Sequence, residues 1–223
     1  MLTRKLLLFA LATCAACQQP ASAEPVVLAP AADRQSNEAR GLKTAIFAGG
    51  CFWGVEGVFS HVQGVTSAVS GFHGGNRINA SYDRVSGGDT GHAEAVRVTY
   101  NPAVVRYDQL LRIFFSVVTD PTQLNRQGPD TGTQYRSALV PMSAEQRLAA
   151  TAYLGQLRAA GLWRAPIVTR LEAYQRFYPA EAYHQDFMAK NPTHGYIVAW
   201  DAPKVAALRR MFPGFYSRAF RPG

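Results

Sequence analysis

The 223 residues predict a two-layer α+β domain, an antiparallel-rich sheet with helices packed on one face. Element order is the first reason. From residue 42 the chain reads strand, helix, strand, strand, helix, strand, the split β-α-β arrangement. Composition is the second: 48% hydrophobic against 17% charged residues supplies one sizeable core for a chain of this length. The third is that no internal repeat and no composition break divides the stretch after residue 42.

Residues 44–48, Thr-Ala-Ile-Phe-Ala, are a short apolar run and read as a buried strand. Gly49-Gly50 ends it, and a helix with an apolar face follows from Cys51 to about residue 62, weakened by Gly57. A second strand covers 65–72, and a loop rich in Gly, Asn and Ser covers 73–91. The third strand, Ala93–Tyr100, puts Ala93, Ala95 and Arg97 on one side and Glu94, Val96 and Val98 on the other. Asn101-Pro102 stops it. Residues 107–118 carry Leu110, Leu111, Phe114, Phe115 and Val118 at helical spacing. A long polar loop, 119–135, leads to a fourth strand, Ser137–Val140. Ser143 with Gln146 forms a capping-box start to a helix bearing Leu148, Tyr153, Leu154 and Leu157. From Ile167 the C-terminal extensions add a strand, a short helix near 181–190 and a last helix near 204–211.

The N-terminus reads as a targeting segment. Arg4-Lys5, an apolar run over 6–16 and Ala21-Ser22-Ala23 are the three parts of an export signal, the run being too short to span a bilayer. Residues 1–23 are then a signal peptide and the protein is periplasmic. Lipoprotein processing at Cys17 or Cys14 is the alternative, and without it no stable membrane association is expected. Residues 24–41, rich in Ala and Pro, read as a flexible linker, 42–217 as the folded domain and 218–223 as a tail. The net charge of +8 invites a polyanion, but Lys and Arg are scattered and no nucleic-acid motif occurs. No nucleic-acid partner is expected, and the chain is expected to be a monomer.

Cysteine usage points to chemistry. The three Cys are Cys14, Cys17 and Cys51, so cleavage after Ala23 leaves Cys51 alone, with no intramolecular disulfide available as a staple. Cys51 falls at a strand-to-helix turn, where free N–H groups and the helix dipole favour thiolate. Phe52 and Trp53 follow it and wall an apolar pocket suited to a small group such as a methyl. The loops 73–91 and 119–135 are long for a compact domain and hold Tyr82, Asp89, His92, Asp120, Gln123, Asp130 and Tyr135 as polar candidates. If the third strand pairs with the first, Glu94 faces the thiol, and burial makes it an acid near neutrality. Otherwise it is a surface carboxylate paired with an Arg. The five His have no metal-ligand spacing, so no metal is expected. A reductase acting on sulfur, a Cys-His hydrolase and an apolar binding module all stay open at this level, although a hydrolase also needs oxyanion donors and an oriented base.

Gly50-Cys51-Phe52-Trp53-Gly54 resembles the signature of the type A peptide methionine sulfoxide reductases. Thr90-Gly91-His92-Ala93-Glu94, the stretch from Asp120 to Gly128, the stretch from Asp130 to Ser137 and Tyr183-His184-Gln185 resemble further motifs of that family. The resemblance spans about 43–216. It implies a ferredoxin-like core, with Cys51 as the nucleophile on the sulfoxide sulfur and Glu94 as the proton donor to its oxygen. It further implies Tyr82 and Tyr135 as hydrogen-bond partners of that oxygen, Phe52 with Trp53 around the methyl group, Asp130 in support and His184 in substrate binding. Cys51 would pass through a sulfenic acid, which thiols reverse. The substrate would be the S epimer of methionine sulfoxide, free or in proteins. No bound cofactor is implied, only an external thiol reductant, a thioredoxin-like dithiol. The chain departs from the family where many members carry resolving cysteines: Gly195-Tyr196-Ile197 stands in place of a Gly-Tyr-Cys context, and Ser86 in place of another Cys. Cys51 is therefore expected to lack an internal resolving partner.

Overall fold

The computed structural model describes residues 26–223, so the expected signal peptide with Cys14 and Cys17 lies outside the described residues. Strand β1 (Lys43–Gly49) runs through the middle of a six-stranded sheet. The other strands are β2 (Val65–His73), β3 (Ala93–Tyr100), β6 (Ser137–Val140), β7 (Arg170–Leu171) and β8 (Phe177–Pro179); β4 (Arg126–Gln127) and β5 (Asp130–Thr131) form a separate small hairpin. The sheet order is β7-β6-β1-β3-β2-β8, antiparallel at every pairing except β6 with β7. The fold is thus mixed α/β around a mostly antiparallel sheet.

Alternation along the strands sorts side chains to two faces. Phe47, Ala68, Phe72, Val96, Val98 and Leu139 join the main core, while Ile46, Ala48, Ala93, Ala95 and Val140 form a smaller cluster with Phe177. The main core is completed by α1 (Phe52–Ser60), α3 (Tyr107–Ile113), α4 (Ala144–Ala160) and α6 (Ala202–Met211), with two shorter helices, α2 (Tyr82–Val85) and α5 (Phe187–Lys190), at the edge. No helix of the described residues is long and apolar enough to cross a membrane.

Several expectations change in detail. The helix expected over 107–118 keeps α geometry only to Ile113; Phe114–Val118 widens into a π turn, closed by Thr119 N–H donating to Phe114 O at 3.2 Å. Ser143 Oγ accepts from Gln146 N–H at 3.1 Å, but the return bond is made to Met142 N–H rather than to the cap itself. Leu148 is exposed, since α4 turns Ala149, Ala150, Tyr153, Leu154 and Leu157 to the core instead.

The flexible linker expected over 24–41 is corrected for the residues described. Residues 26–41 have no regular secondary structure, yet they form a strap bound to the body. Ala29 is fully buried; its N–H donates to Ser116 Oγ at 3.0 Å and its carbonyl accepts from Arg112 Nε at 2.9 Å. Further on, Ser36 bonds Asp108, Arg34 forms a bidentate pair with Glu145, and Tyr100 donates to Glu38 at 2.5 Å. Composition suggested flexibility, but backbone groups of Ala29, Pro30, Ala31, Asp33, Ser36 and Asn37 find side-chain partners on α3, the π turn or α4, and those partners are not visible from local sequence.

Candidate active site

Cys51 is the N-cap of α1, placed there by a chain reversal at Gly50. Gly50 has φ +92°, and a Cβ on it would lie 2.5 Å from Gln127 Cβ, so glycine alone fits between β1 and the thiol. The next N–H in the helix, Phe52, donates to Glu94 Oε2 at 2.9 Å. Glu94 reaches that point because β3 pairs with both β1 and β2, with Phe72 directly opposite it, and because it shares the face of Val96 and Val98. It is 1% exposed. Burial pushes its carboxyl up to about 8, against the Phe52 N–H, which favours the ionised form, and with help from the charges of Asp130 and Asp201. The surface-carboxylate alternative for Glu94 is excluded.

The thiol behaves differently from expectation. Burial pushes the Cys51 thiol well up, and the nearby carboxyls of Glu94, Asp201 and Asp130 add to the rise; only the Trp53 backbone N–H favours thiolate. The helix N-terminus expected to stabilise thiolate is present, but desolvation and three acidic neighbours outweigh it. Cys51 is therefore held as a thiol.

Around this pair stands a cluster of rings. Phe52 is fully buried and packs on Phe72, Tyr82 and His184 at centroid distances of 5.8, 6.4 and 5.0 Å. Trp53 is half-buried, stacked on Phe187 at 3.8 Å. Its indole N–H donates to His184 Nδ1 at 3.1 Å, so the imidazole proton sits on Nε2, which is buried and has no hydrogen-bond partner among the described residues. Burial lowers the His184 pKa, which keeps the ring neutral. Tyr82 opens α2, inside the long loop; burial and the Glu94 charge push its hydroxyl up to about 12. Tyr135 ends a 3-10 turn, Thr133–Tyr135, and its hydroxyl is raised by burial and by Glu94, Asp130 and Cys51. Both phenols stay protonated as donors.

All eight residues singled out for the site, Cys51, Phe52, Trp53, Tyr82, Glu94, Asp130, Tyr135 and His184, therefore gather in one place. Other loop candidates do not. His92 holds a turn, accepting from Gly75 N–H at 3.2 Å and contacting Asn76 O at 2.9 Å, and Asp120 folds its own loop onto Thr122. Among the described residues no group of three His, Cys, Asp or Glu could hold a metal ion.

Sequence reasoning missed two members, Tyr196 and Asp201. Tyr196 donates a short hydrogen bond to Asp130 Oδ2 and meets Trp53 edge-on at 5.9 Å. Asp201 is fully buried; neither carboxylate oxygen has a hydrogen-bond partner among the described residues, and Lys204 Nζ stands 3.8 Å away. A Cβ on Gly54 would fall 2.2 Å from Asp201 Oδ1, so this carboxylate lies flush against the first turn of α1. These residues sit on a π turn, Ile197–Asp201, and its flanks, where no periodicity marks them.

The family model of peptide methionine sulfoxide reductase matches residues 43–213. Peptide methionine sulfoxide reductase MsrA 2 of Mesorhizobium japonicum is 57% identical over 179 residues, covering 80% of this chain and 92% of that protein. The MsrA 2 of Synechocystis is 49% identical, covering 79% and 83%. Among solved structures, Mxr1 of Saccharomyces cerevisiae in reduced form matches at a TM-score of 0.62 and 35% identity, covering 71% of this chain and 90% of that one. Methionine sulfoxide reductase A of Corynebacterium diphtheriae matches at 0.57 and 34%, covering 78% and 85%.

Proposed function

The chain belongs to the peptide methionine sulfoxide reductase family and is an oxidoreductase that reduces methionine sulfoxide, and on that premise we propose how its own residues do so. Cys51 attacks the sulfoxide sulfur while Glu94, kept protonated by burial, delivers a proton to the oxygen. Tyr82 and Tyr135 donate to the same oxygen, and the Nε2–H of His184 is left to donate to the bound substrate. Phe52 and Trp53 hold the methyl group, with Trp53 fixed by Phe187 and His184. Protonation of the oxygen places positive charge beside Cys51, and this favours thiolate at the moment of attack; the thiol's own proton restores Glu94. The oxygen passes to Cys51, methionine leaves, and the cysteine rests as a sulfenic acid, two electrons more oxidised.

The observation that carries this reading is the buried Glu94 one hydrogen bond from the residue after Cys51. The strand order β6-β1-β3-β2, antiparallel throughout, supports reading the core as ferredoxin-like. Selectivity for the S epimer, export to the periplasm, the monomeric state and a thioredoxin-like external dithiol belong to the same proposal. Its test is a single turnover with one equivalent of methionine sulfoxide and no reductant. We expect one methionine per enzyme and a gain of one oxygen at Cys51 by mass spectrometry; Cys51→Ser yields neither. Methionine formed by Cys51→Ser would end the proposal.

A further inference from the structure

We propose that Glu56, buried within α1, is a positioning residue for substrate binding: it pins the turn at Asp186 that lays Phe187 against Trp53, and so sets the ring that walls the methyl pocket; this rests on the pocket reading above. Three residues of α1 carry the observation. Trp53, Glu56 and Gly57 stand at i, i+3 and i+4 and share one face of the helix. They meet three consecutive residues, 186–188. Trp53 stacks on Phe187 with centroids 3.8 Å apart and ring planes within 8°. Glu56 Oε1 accepts from Asp186 N–H at 3.1 Å. Gly57 makes room for Met188, whose Cε would lie 2.5 Å from a Cβ placed there.

The turn needs holding. Asp186 has φ +58° and ψ 26°, the left-handed region, which a residue with a Cβ keeps only where its surroundings fix it. Gln185, just before it, is tied to β2. Ser70 N–H donates to Gln185 Oε1 at 2.9 Å, and Gln185 Nε2 donates to Ser70 O at 2.9 Å and Ala180 O at 3.0 Å. The same Ser70 donates its hydroxyl to Glu56 Oε2 at 3.0 Å, which aims the other carboxyl oxygen at Asp186 N–H. Lys190 and the Gly223 N–H meet the Asp186 side chain. The chain is thus fixed at 185 and 186, and its reversal there sends Phe187 onto Trp53. Glu56 is 1% exposed; burial pushes its carboxyl up to about 7, and the bonds from Asp186 and Ser70 oppose the rise. An apolar side chain of similar volume would fill this place without desolvating a carboxyl. What Glu56 supplies is an acceptor placed for Asp186. Its bonds run to Ser70 and Asp186 and not to Glu94, Tyr82 or Tyr135, so its effect reaches the substrate through the Phe187–Trp53 stack, on binding.

The test takes the full chain with excess methionine sulfoxide and no reductant, and follows the single-turnover rate of methionine formation against substrate concentration. Glu56→Ala should raise the half-saturating concentration about tenfold and leave the saturating rate within about twofold of wild type. Glu56→Gln keeps an oxygen for Asp186 N–H and turns its amide to Ser70 Oγ, so it should restore wild-type half-saturation. Phe187→Ala alone should also raise half-saturation, and adding Glu56→Ala to it should change the value by less than about twofold, because both act through one ring. Should Glu56→Ala fail to fold, Ser70→Ala, which removes only the bond that aims the carboxyl, must raise half-saturation about threefold, with the same unchanged saturating rate and the same non-additivity with Phe187→Ala. A lowered saturating rate with unchanged half-saturation overturns the assignment. So does a Gln variant as impaired as Ala, or a double variant whose effects multiply. A Phe187→Ala enzyme with wild-type half-saturation overturns it by another route, because the pocket reading beneath it has then fallen.

Discussion

Two regions converge on Cys51, and they hold their side chains by different means. The first, β1 to β3 with α1, places its groups by backbone. Glu94 is fixed by the pairing of β3 with β2, opposite Phe72, and by the Phe52 N–H, and Cys51 by the start of a helix. The second, the wrap from Tyr183 to Lys204, is a succession of short turns. It places His184, Phe187, Tyr196 and Asp201 through side-chain contacts: an indole hydrogen bond, a ring stack, a bond to Asp130 and an ion pair. Groups that move protons or bonds lie in the region where register sets position. Groups that shape the pocket lie where packing does. Substitutions in the first region should therefore act on the chemical step, and those in the wrap and on the rings it supports should act on binding.

The largest effect expected is that of Glu94→Gln. A Gln oxygen still accepts from Phe52 N–H, so the fold and the binding of methionine sulfoxide should persist while single-turnover reduction slows about 10²–10⁴-fold. The pH dependence follows from the raised carboxyl. Glu94 titrates near 8, above its ordinary 4.5, so it is protonated and competent below about 8 and the rate falls as pH rises past that point. The same shift contributes stability that is complete below 4.5 and is lost as pH rises through 8. Glu94→Gln should remove this alkaline limb. A wild-type rate in the variant takes Glu94 out of the acid role and breaks the division between the two regions.

That division also marks what the sequence makes legible. The first region reads well because each strand is an apolar run with a clear stop, and Ala93–Tyr100 matches its expected bounds. Glu94 could be aimed at Cys51 from alternation and strand order alone. The thiol's protonation state could not, because it depends on Asp130 and Asp201, brought in from distant loops. Tyr196 and Asp201 lie on turns with no period, and their roles exist only through partners far away in the chain, Asp130 and Gly54. The strap is illegible for the same reason.

A smaller effect is expected at Trp53, which belongs to α1 but is positioned by the wrap. Trp53→Ala removes the stack on Phe187 and the bond to His184. Aromatic pairs of this kind contribute about 0.5–1.5 kcal/mol beyond their area, so kcat/KM should fall about tenfold, mostly through KM. Cys51 should still alkylate with iodoacetamide at the normal rate. An unfolded variant, or one that resists alkylation, makes Trp53 a core residue and ends its assignment to the pocket.

Asp201 sharpens the comparison most finely, being the one charged group that the wrap buries beside the thiol. Burial pushes its carboxyl up to about 6, with Lys204 opposing the rise and Asp130 adding to it. At pH 7 to 8 it is largely ionised, and its negative charge helps to hold both Cys51 and Glu94 protonated. Asp201→Asn keeps the shape against Gly54 and removes the charge. Both neighbours should then lose protons more easily, so the alkaline limb of single turnover moves to lower pH and alkylation of Cys51 begins at lower pH. Stability should move in the opposite sense. An acid raised in the folded state loses its stabilising contribution as pH rises from its ordinary 3.8 to about 6, so the neutral variant should gain stability relative to wild type as pH rises over that range. Thermal unfolding across that range and pH profiles of alkylation measure the two effects separately. A gain in stability with neither profile shifted would make Asp201 a buried charge of the wrap alone, without influence on the chemistry of the sheet.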